Sequence, residues 1–175
     1  FPTRRSSDLP GSDAALILPL VDICIANDED APTGLGMTCV SGSLAHGIEE
    51  RDTYVEMARQ ICAEYGCKKV ASVVRNISCV ERSIWMGMLF DAESGEHWFS
   101  PAHDVHVLEG VAAGDAFNAG LVHALINDFD PQAAVNYAIA ASILKLTIKG
   151  DSNLVTADEI AAVASAADGG TRVAR

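Results

Sequence analysis

"EGVAAGDAFNAG", residues 109–120, decides how the rest of the chain is read. Two alanines, a glycine and an acid stand directly before a run that places Phe117, Leu121, Ala124 and Leu125 at helical spacing. The amides of Ala112, Ala113, Gly114 and Asp115 then fall at a helix N-terminus. Free N–H groups and the helix dipole favour an anion such as phosphate there. Small residues let a ligand come close to the backbone. A carboxylate at that lip, Asp115, is placed to take a proton from an attacking hydroxyl. Taken alone, the stretch has a plainer reading, in which Asp115 caps or solvates an ordinary helix start.

At 175 residues the chain is one domain at most. Twelve basic residues against 24 acidic ones give a net charge of -12, which argues against nucleic acid or an acidic membrane as a partner. An anionic substrate therefore needs a local positive site. The apolar fraction, 49%, suits a buried parallel sheet. Cys24, Cys39, Cys62, Cys67 and Cys79 are an odd number of thiols scattered through regular elements. They read as reduced cysteines of a cytoplasmic protein rather than a disulfide framework. No apolar run reaches membrane-span length, since Pro19 and Asp22 break "AALILPLVDICIA". Residues 1–9, "FPTRRSSDL", match the translation of a sequencing adapter, so we expect them to be foreign and the true protein to begin upstream.

"LVDICIAN" (20–27) predicts a buried strand that ends in a polar loop. Residues 52–65 predict a helix with Val55, Ala58, Ile61, Cys62 and Tyr65 on one face, Asp52 as its cap and Gly66 as its stop. "KKVASVVR" (68–75) predicts a strand that ends at Arg75. "SIWMGMLFD" (83–91) and "EHWFSP" (96–101) flank the turn "AESG" and predict a hairpin. "DVHVLEG" (104–110) predicts one more strand, and three helices follow. Asp130 with Pro131 opens the second of these, and the Thr156–Glu159 capping box opens the third. Residues 169–175 predict a frayed tail. The order strand, helix, strand, hairpin, strand, helix, helix, helix fits a layered α/β fold. Ligands in such folds sit at the C-terminal ends of strands, where Asn27, Arg75 and Ala112–Asp115 could converge.

"NDED" (27–30) could hold Mg²⁺ through water, or be an acidic surface loop. Arg75 could clamp a carboxylate or phosphate with its planar fork, or form a surface ion pair. The five histidines show no metal spacing.

In their order, "VDICIANDEDA", "KKVASVVR", "SIWMGMLFD", "VAAGDAFNAGLVHAL" and "AASILKLTIKGDSNLV" resemble the ribokinase-like (PfkB) carbohydrate kinases, most of all the bacterial kinases of 2-dehydro-3-deoxygluconate. The resemblance runs from about Ala14 to Ala164 and covers the C-terminal half of a family member. It implies a layered α/β/α fold with a mainly parallel sheet, with residues 10–168 forming the nucleotide-side part of the kinase domain. It implies ATP-dependent phosphorylation of a sugar acid in the cytoplasm, with Mg²⁺ as cofactor and no nucleic acid or membrane partner. A homo-oligomer of the full-length protein stays open, and the chain as given is expected to be inactive by itself. The matched positions make Asp115 the base and make Ala112, Ala113 and Gly114 the anion hole. They put Asn27 and Asp30 in an Asn-x-x-acid motif for Mg²⁺ and phosphate, Arg75 near the sugar acid, and Asp151 where the site closes. The family usually has Gly where Ala112 stands, Asp where Glu109 stands, and Thr, Val or Arg-like residues at Gly110. A φ above zero at Ala112 would strain a residue with a β-carbon. These departures keep two alternatives in view: another PfkB-type sugar kinase and a non-catalytic nucleotide-binding module.

Overall fold

The computed structural model describes residues 16–35, 37, 46–79 and 81–166. The expectations for residues 1–9 and 169–175 lie outside these residues. Strand β1 (Ile23–Ile25) leads through helices α1 (Asp30–Leu35) and α2 (Arg51–Tyr65) into β2 (Lys69–Cys79). The helices form a crossover, so β1 and β2 are parallel, with Ile23 opposite Lys69. Strand β3 (Arg82–Asp91) returns antiparallel along β2. Its far edge is shared: Arg82–Trp85 pair with β5 (His103–His106), and Met88–Phe90 pair with β4 (His97–Phe99). Helices α3 (Ala113–Ile126), α4 (Pro131–Lys145) and α5 (Ala157–Ala164) follow.

The sheet is therefore mixed, not mainly parallel: among the described residues only β1–β2 is parallel. The short turns after β2 and β3 leave no room for a crossover helix, so these strands can only return antiparallel. Arg75 also differs from expectation, because β2 continues four residues past it, where Asn76 and Ile77 pair with Ile84 and Ser83. Asp52 lies in the first turn of α2 and is not its cap. Glu50 holds the cap position, and its carbonyl accepts from the Thr53 hydroxyl at 2.7 Å.

Alternation along the strands divides the core into two layers. Ala71, Val73, Trp85, Leu89 and Val105 face α3, α4 and α5. Val70, Val74, Met86, Met88 and Phe90 face α2 through Met57, Ala58 and Ile61. Helix α2 ends as expected at Gly66, whose φ of 78° suits a residue without a β-carbon. Helix α4 has no exposed residue anywhere along its length. Asp130 accepts from the Ala133 N–H at 2.9 Å to start it, and Pro131 needs no N–H partner there. Phe117, Leu121 and Ile139 are completely buried between α3, α4 and the sheet. Burial of each contributes about 2 kcal/mol, far more than an exposed surface ion pair.

Two backbone positions in this layer are tightly constrained. A β-carbon on Gly120 would lie 3.0 Å from both the Ala138 Cα and the Ala141 Cβ. Gly120 is thus what lets α3 lie directly on α4. Gly120→Val should lower stability by about 2 kcal/mol, because overpacking outweighs the gain in helix propensity. Urea unfolding measures it, and an unchanged midpoint would show that the helices do not touch here. Ala112, the cap position of α3, has φ 60° and ψ 12°, the left-handed region. An alanine is strained there by about 1–2 kcal/mol, partly offset by the entropy a glycine would lose on folding. Ala112→Gly should raise stability by up to about 1 kcal/mol with the urea slope unchanged. A destabilised glycine variant would mean that the left-handed turn costs nothing.

Candidate active site

The loop after β1 is bound to β2 by hydrogen bonds from both backbone and side chains. The Ala26 N–H donates to the Ala71 carbonyl, and the buried Ser72 hydroxyl donates to the Ala26 carbonyl. The Asn27 side-chain oxygen accepts from the Val73 N–H at 2.9 Å. The Asn27 N–H donates to Asp30 Oδ2 at 3.0 Å, while the N–H groups of Asp30 and Ala31 donate back to the Asn27 carbonyl. Asn27 and Asp30 are thus brought together as one turn. One oxygen on each is engaged with the backbone, and Asp30 remains exposed.

Between them in sequence, Asp28 turns inward and is 3% exposed. It lies beside the Tyr54 hydroxyl. Burial, then the Asp28 carboxylate, push the Tyr54 phenol well above its ordinary range, so it stays protonated beside Asp28. Arg75 Nη2 lies 3.9 Å from Asp28 Oδ1, an ion pair too long to be a hydrogen bond. The Arg75 guanidinium carbon sits 5.5 Å over the Trp85 ring, and its buried Nε–H has no acceptor among the described residues. A half-buried guanidinium with one face on an aromatic ring and a donor unused can still take an anion.

The N-terminus of α3 is built differently. No side chain caps it, because Ala112 has none to offer. The first bond of the helix runs from the Ala116 N–H to the Ala112 carbonyl at 2.9 Å. Ala113 is buried, and its carbonyl accepts from the Ser142 hydroxyl of α4 at 2.9 Å. Gly114 and Asp115 are exposed, with open space where a Gly114 β-carbon would sit. The segment leading in is fastened by the Leu108 and Glu109 N–H groups, which share the Leu146 carbonyl at 2.8 and 3.2 Å. Asp151 is exposed in the turn after α4, with its carboxylate 3.4 Å from the Ser152 hydroxyl.

The candidate residues therefore form two groups. Asn27 and Asp30 are bonded to each other, and Arg75 stands two strand residues beyond Val73, their tie to β2. Ala112–Asp115 and Asp151 are joined through the end of α4. Among the described residues no hydrogen bond or ion pair links one group to the other. Packing joins them instead: Trp85, under Arg75, belongs to the same core layer as Ala113 and Phe117. Spacing did not single out Asp28, Tyr54, Ser142 or Lys145. Lys145 had one visible signal, a lone charge inside the apolar "AASILKLTI". An apolar hollow of about 290 Å³ between α4 and α5, lined by Phe129, Tyr137 and Ala161, holds none of the candidates.

Comparison with known proteins agrees with this architecture. Residues 85–158 match the pfkB family carbohydrate kinase profile. The structure of a 2-dehydro-3-deoxygluconokinase from Thermotoga maritima is 33% identical over 86% of this chain and 43% of that one, with a TM-score of 0.77. A PfkB family carbohydrate kinase from Listeria grayi is 26% identical over 93% of this chain and 48% of that one, with a TM-score of 0.71. A Thermotoga maritima ribokinase, at 19% identity and a TM-score of 0.58 over 83% of this chain and 43% of that one, shares the fold. The chain thus spans less than half the length of these structures. Its residues 85–158 match the pfkB family of carbohydrate kinases, and the chain carries the ribokinase-like α/β fold of these structures.

Proposed function

We propose that the protein carrying this chain transfers the γ-phosphoryl group of ATP to the primary hydroxyl of 2-dehydro-3-deoxy-D-gluconate, forming the 6-phosphate. The observation that carries this reading is the α3 N-terminus: an uncapped first turn with an exposed carboxylate, Asp115, within it. The 33% identity to a 2-dehydro-3-deoxygluconokinase supports the choice of sugar acid.

In this reading the amides of Ala112, Ala113 and Gly114 hold the charge that builds on the transferring group, helped by the helix dipole. Asp115 accepts the proton of the sugar hydroxyl as its oxygen bonds to the γ-phosphorus. The bond from that phosphorus to the bridging oxygen breaks, and ADP leaves with the electron pair. Arg75 offers its unused Nε–H to the sugar-acid carboxylate or a phosphate. Asp151 closes the site beside α3.

Asn27 and Asp30 suit an indirect role with Mg²⁺. Each has one oxygen engaged with an N–H group, and the described residues contain no cluster of three acidic, histidine or cysteine ligands. A single carboxylate fits an ion that keeps most of its waters and rides on the nucleotide phosphates. When bound, Mg²⁺ neutralises phosphate charge. The protein's own part is to orient the reactants and move one proton.

Assay of the full-length protein with Mg-ATP and 2-dehydro-3-deoxy-D-gluconate tests the reading. Turnover of a different sugar would replace the substrate, and ATP binding without transfer would make this a nucleotide-binding module. Asp115→Asn should cut kcat by about 10²–10⁴-fold, the usual worth of a positioned base. Calorimetry should show ATP binding nearly unchanged. An asparagine variant with normal kcat would remove Asp115 from the role of base. Arg75→Met should raise KM for the sugar acid by about 10–100-fold, the worth of a charge-assisted hydrogen bond. Steady-state kinetics will separate the two anions, since an increase confined to KM for ATP would place Arg75 on the nucleotide.

A further inference from the structure

Lys145, the last residue of α4, is completely buried. Lysine is almost never fully buried without a partner. Among the described residues it forms no ion pair. Its Nζ instead donates to two main-chain carbonyls, Ile148 at 3.1 Å and Gly150 at 2.7 Å. Both lie in the turn that follows its own helix. The C-terminal end of a helix carries partial negative charge, which favours a cation there. Gly150, at φ 81°, lets the chain fold back within reach of a side chain five residues earlier.

The turn gathered by Lys145 adjoins both parts of the α3 site. The residue after Lys145, Leu146, is the one whose carbonyl receives the Leu108 and Glu109 N–H groups. One helical turn before it, the Ser142 hydroxyl holds the Ala113 carbonyl. These bonds bracket residues 108–113, including the left-handed Ala112. The residue after Gly150 is Asp151.

We propose that Lys145 is a positioning residue. Its ammonium group fixes the Leu146–Asp151 turn and, through the Leu146 carbonyl, holds the approach to α3 in the geometry that presents Ala112–Asp115. The role in turnover rests on the kinase reading above; the mechanical role does not.

Lys145→Met keeps the length of the stem and removes the three donors. Hydrogen exchange, measured without substrates, should show the Leu108 and Glu109 amides exchanging about tenfold faster or more. In the full-length protein kcat should fall about tenfold while KM for the sugar acid stays within about twofold, since no substrate contact is removed. Ammonium ion, small enough to refill the position, should slow the exchange and recover kcat; tetramethylammonium at equal ionic strength should do neither. Should the methionine variant fail to fold, Lys145→Gln keeps an amide donor and is read by the same exchange. Unchanged exchange at Leu108 and Glu109, or a speed-up that ammonium does not reverse, overturns the proposal. The two readings fail separately: no sugar phosphorylation by the unaltered protein sinks the kinase, and normal amide protection in the variant sinks Lys145.

Discussion

A helix with no exposed side has to satisfy its polar groups on its neighbours. Helix α4 is in that position, enclosed by α3, α5 and the sheet, and most of the structure answers to it. Its alanines let the neighbouring helices come close, and Gly120 completes the contact from α3. Its two most deeply buried polar side chains, Ser142 and Lys145, are both fully inaccessible. Ser142 bonds to the first residue of α3, and Lys145 to the turn behind it. Burial of α4 thus does two jobs. It supplies apolar stabilisation, and it forces its polar groups onto the start of α3 and onto the turn after α4, because an unpaired group there would cost the desolvation of that group.

The second group of candidate residues depends on a different constraint, the sheet ladder. Asn27 is placed by the Val73 N–H, a β2 amide that β1 is too short to use. Arg75 is placed by its position on β2 and by the Trp85 ring opposite it. The buried Asp28 lies beside Tyr54 of α2 and within ion-pair distance of Arg75. Each side chain is thus held by elements from more than one layer. The trade is visible in the polar atoms left over: Asp28 Oδ1 and Arg75 Nε have no hydrogen-bond partner among the described residues. Such leftovers are uncommon in buried positions and concentrate where a ligand completes the set.

The legible parts of this fold were the ones written locally. Asp130 with Pro131, Thr156 with Glu159, and Gly66 each act within a few residues, so their spacing alone announces a helix end. The α3 stretch was legible for the same reason. What escaped was set by partners distant in sequence. "NISC" (76–79) alternates the wrong way round for apolar patterning, with Asn76 buried and Ile77 exposed, yet the β3 ladder extends β2 through it, and Asn76 is held by the Ile48 N–H and Glu49. Which acid of "NDED" turns inward depends on Tyr54 and Arg75, so spacing cannot choose Asp28 from its neighbours. Lys145 pairs with carbonyls, and carbonyls leave no mark in a sequence.

The charge balance explains why the site is built from backbone and packing. At a net charge of -12 the field of this chain repels any anionic ligand. Attraction has to come from groups that act at short range and are shielded from that field. A helix N-terminus meets this need, because its donors are fixed dipoles whose reach is about one turn. A guanidinium laid over an indole meets it too, since the ring and the buried surroundings hold the charge in place and limit screening by water. Both devices depend on orientation more than on total charge. The strained Ala112 fits that dependence: a capping side chain would relieve the helix end but occupy donors that an anion can otherwise use. An alanine in the left-handed region keeps those donors free at a cost in stability that the buried α3–α4 layer is large enough to absorb.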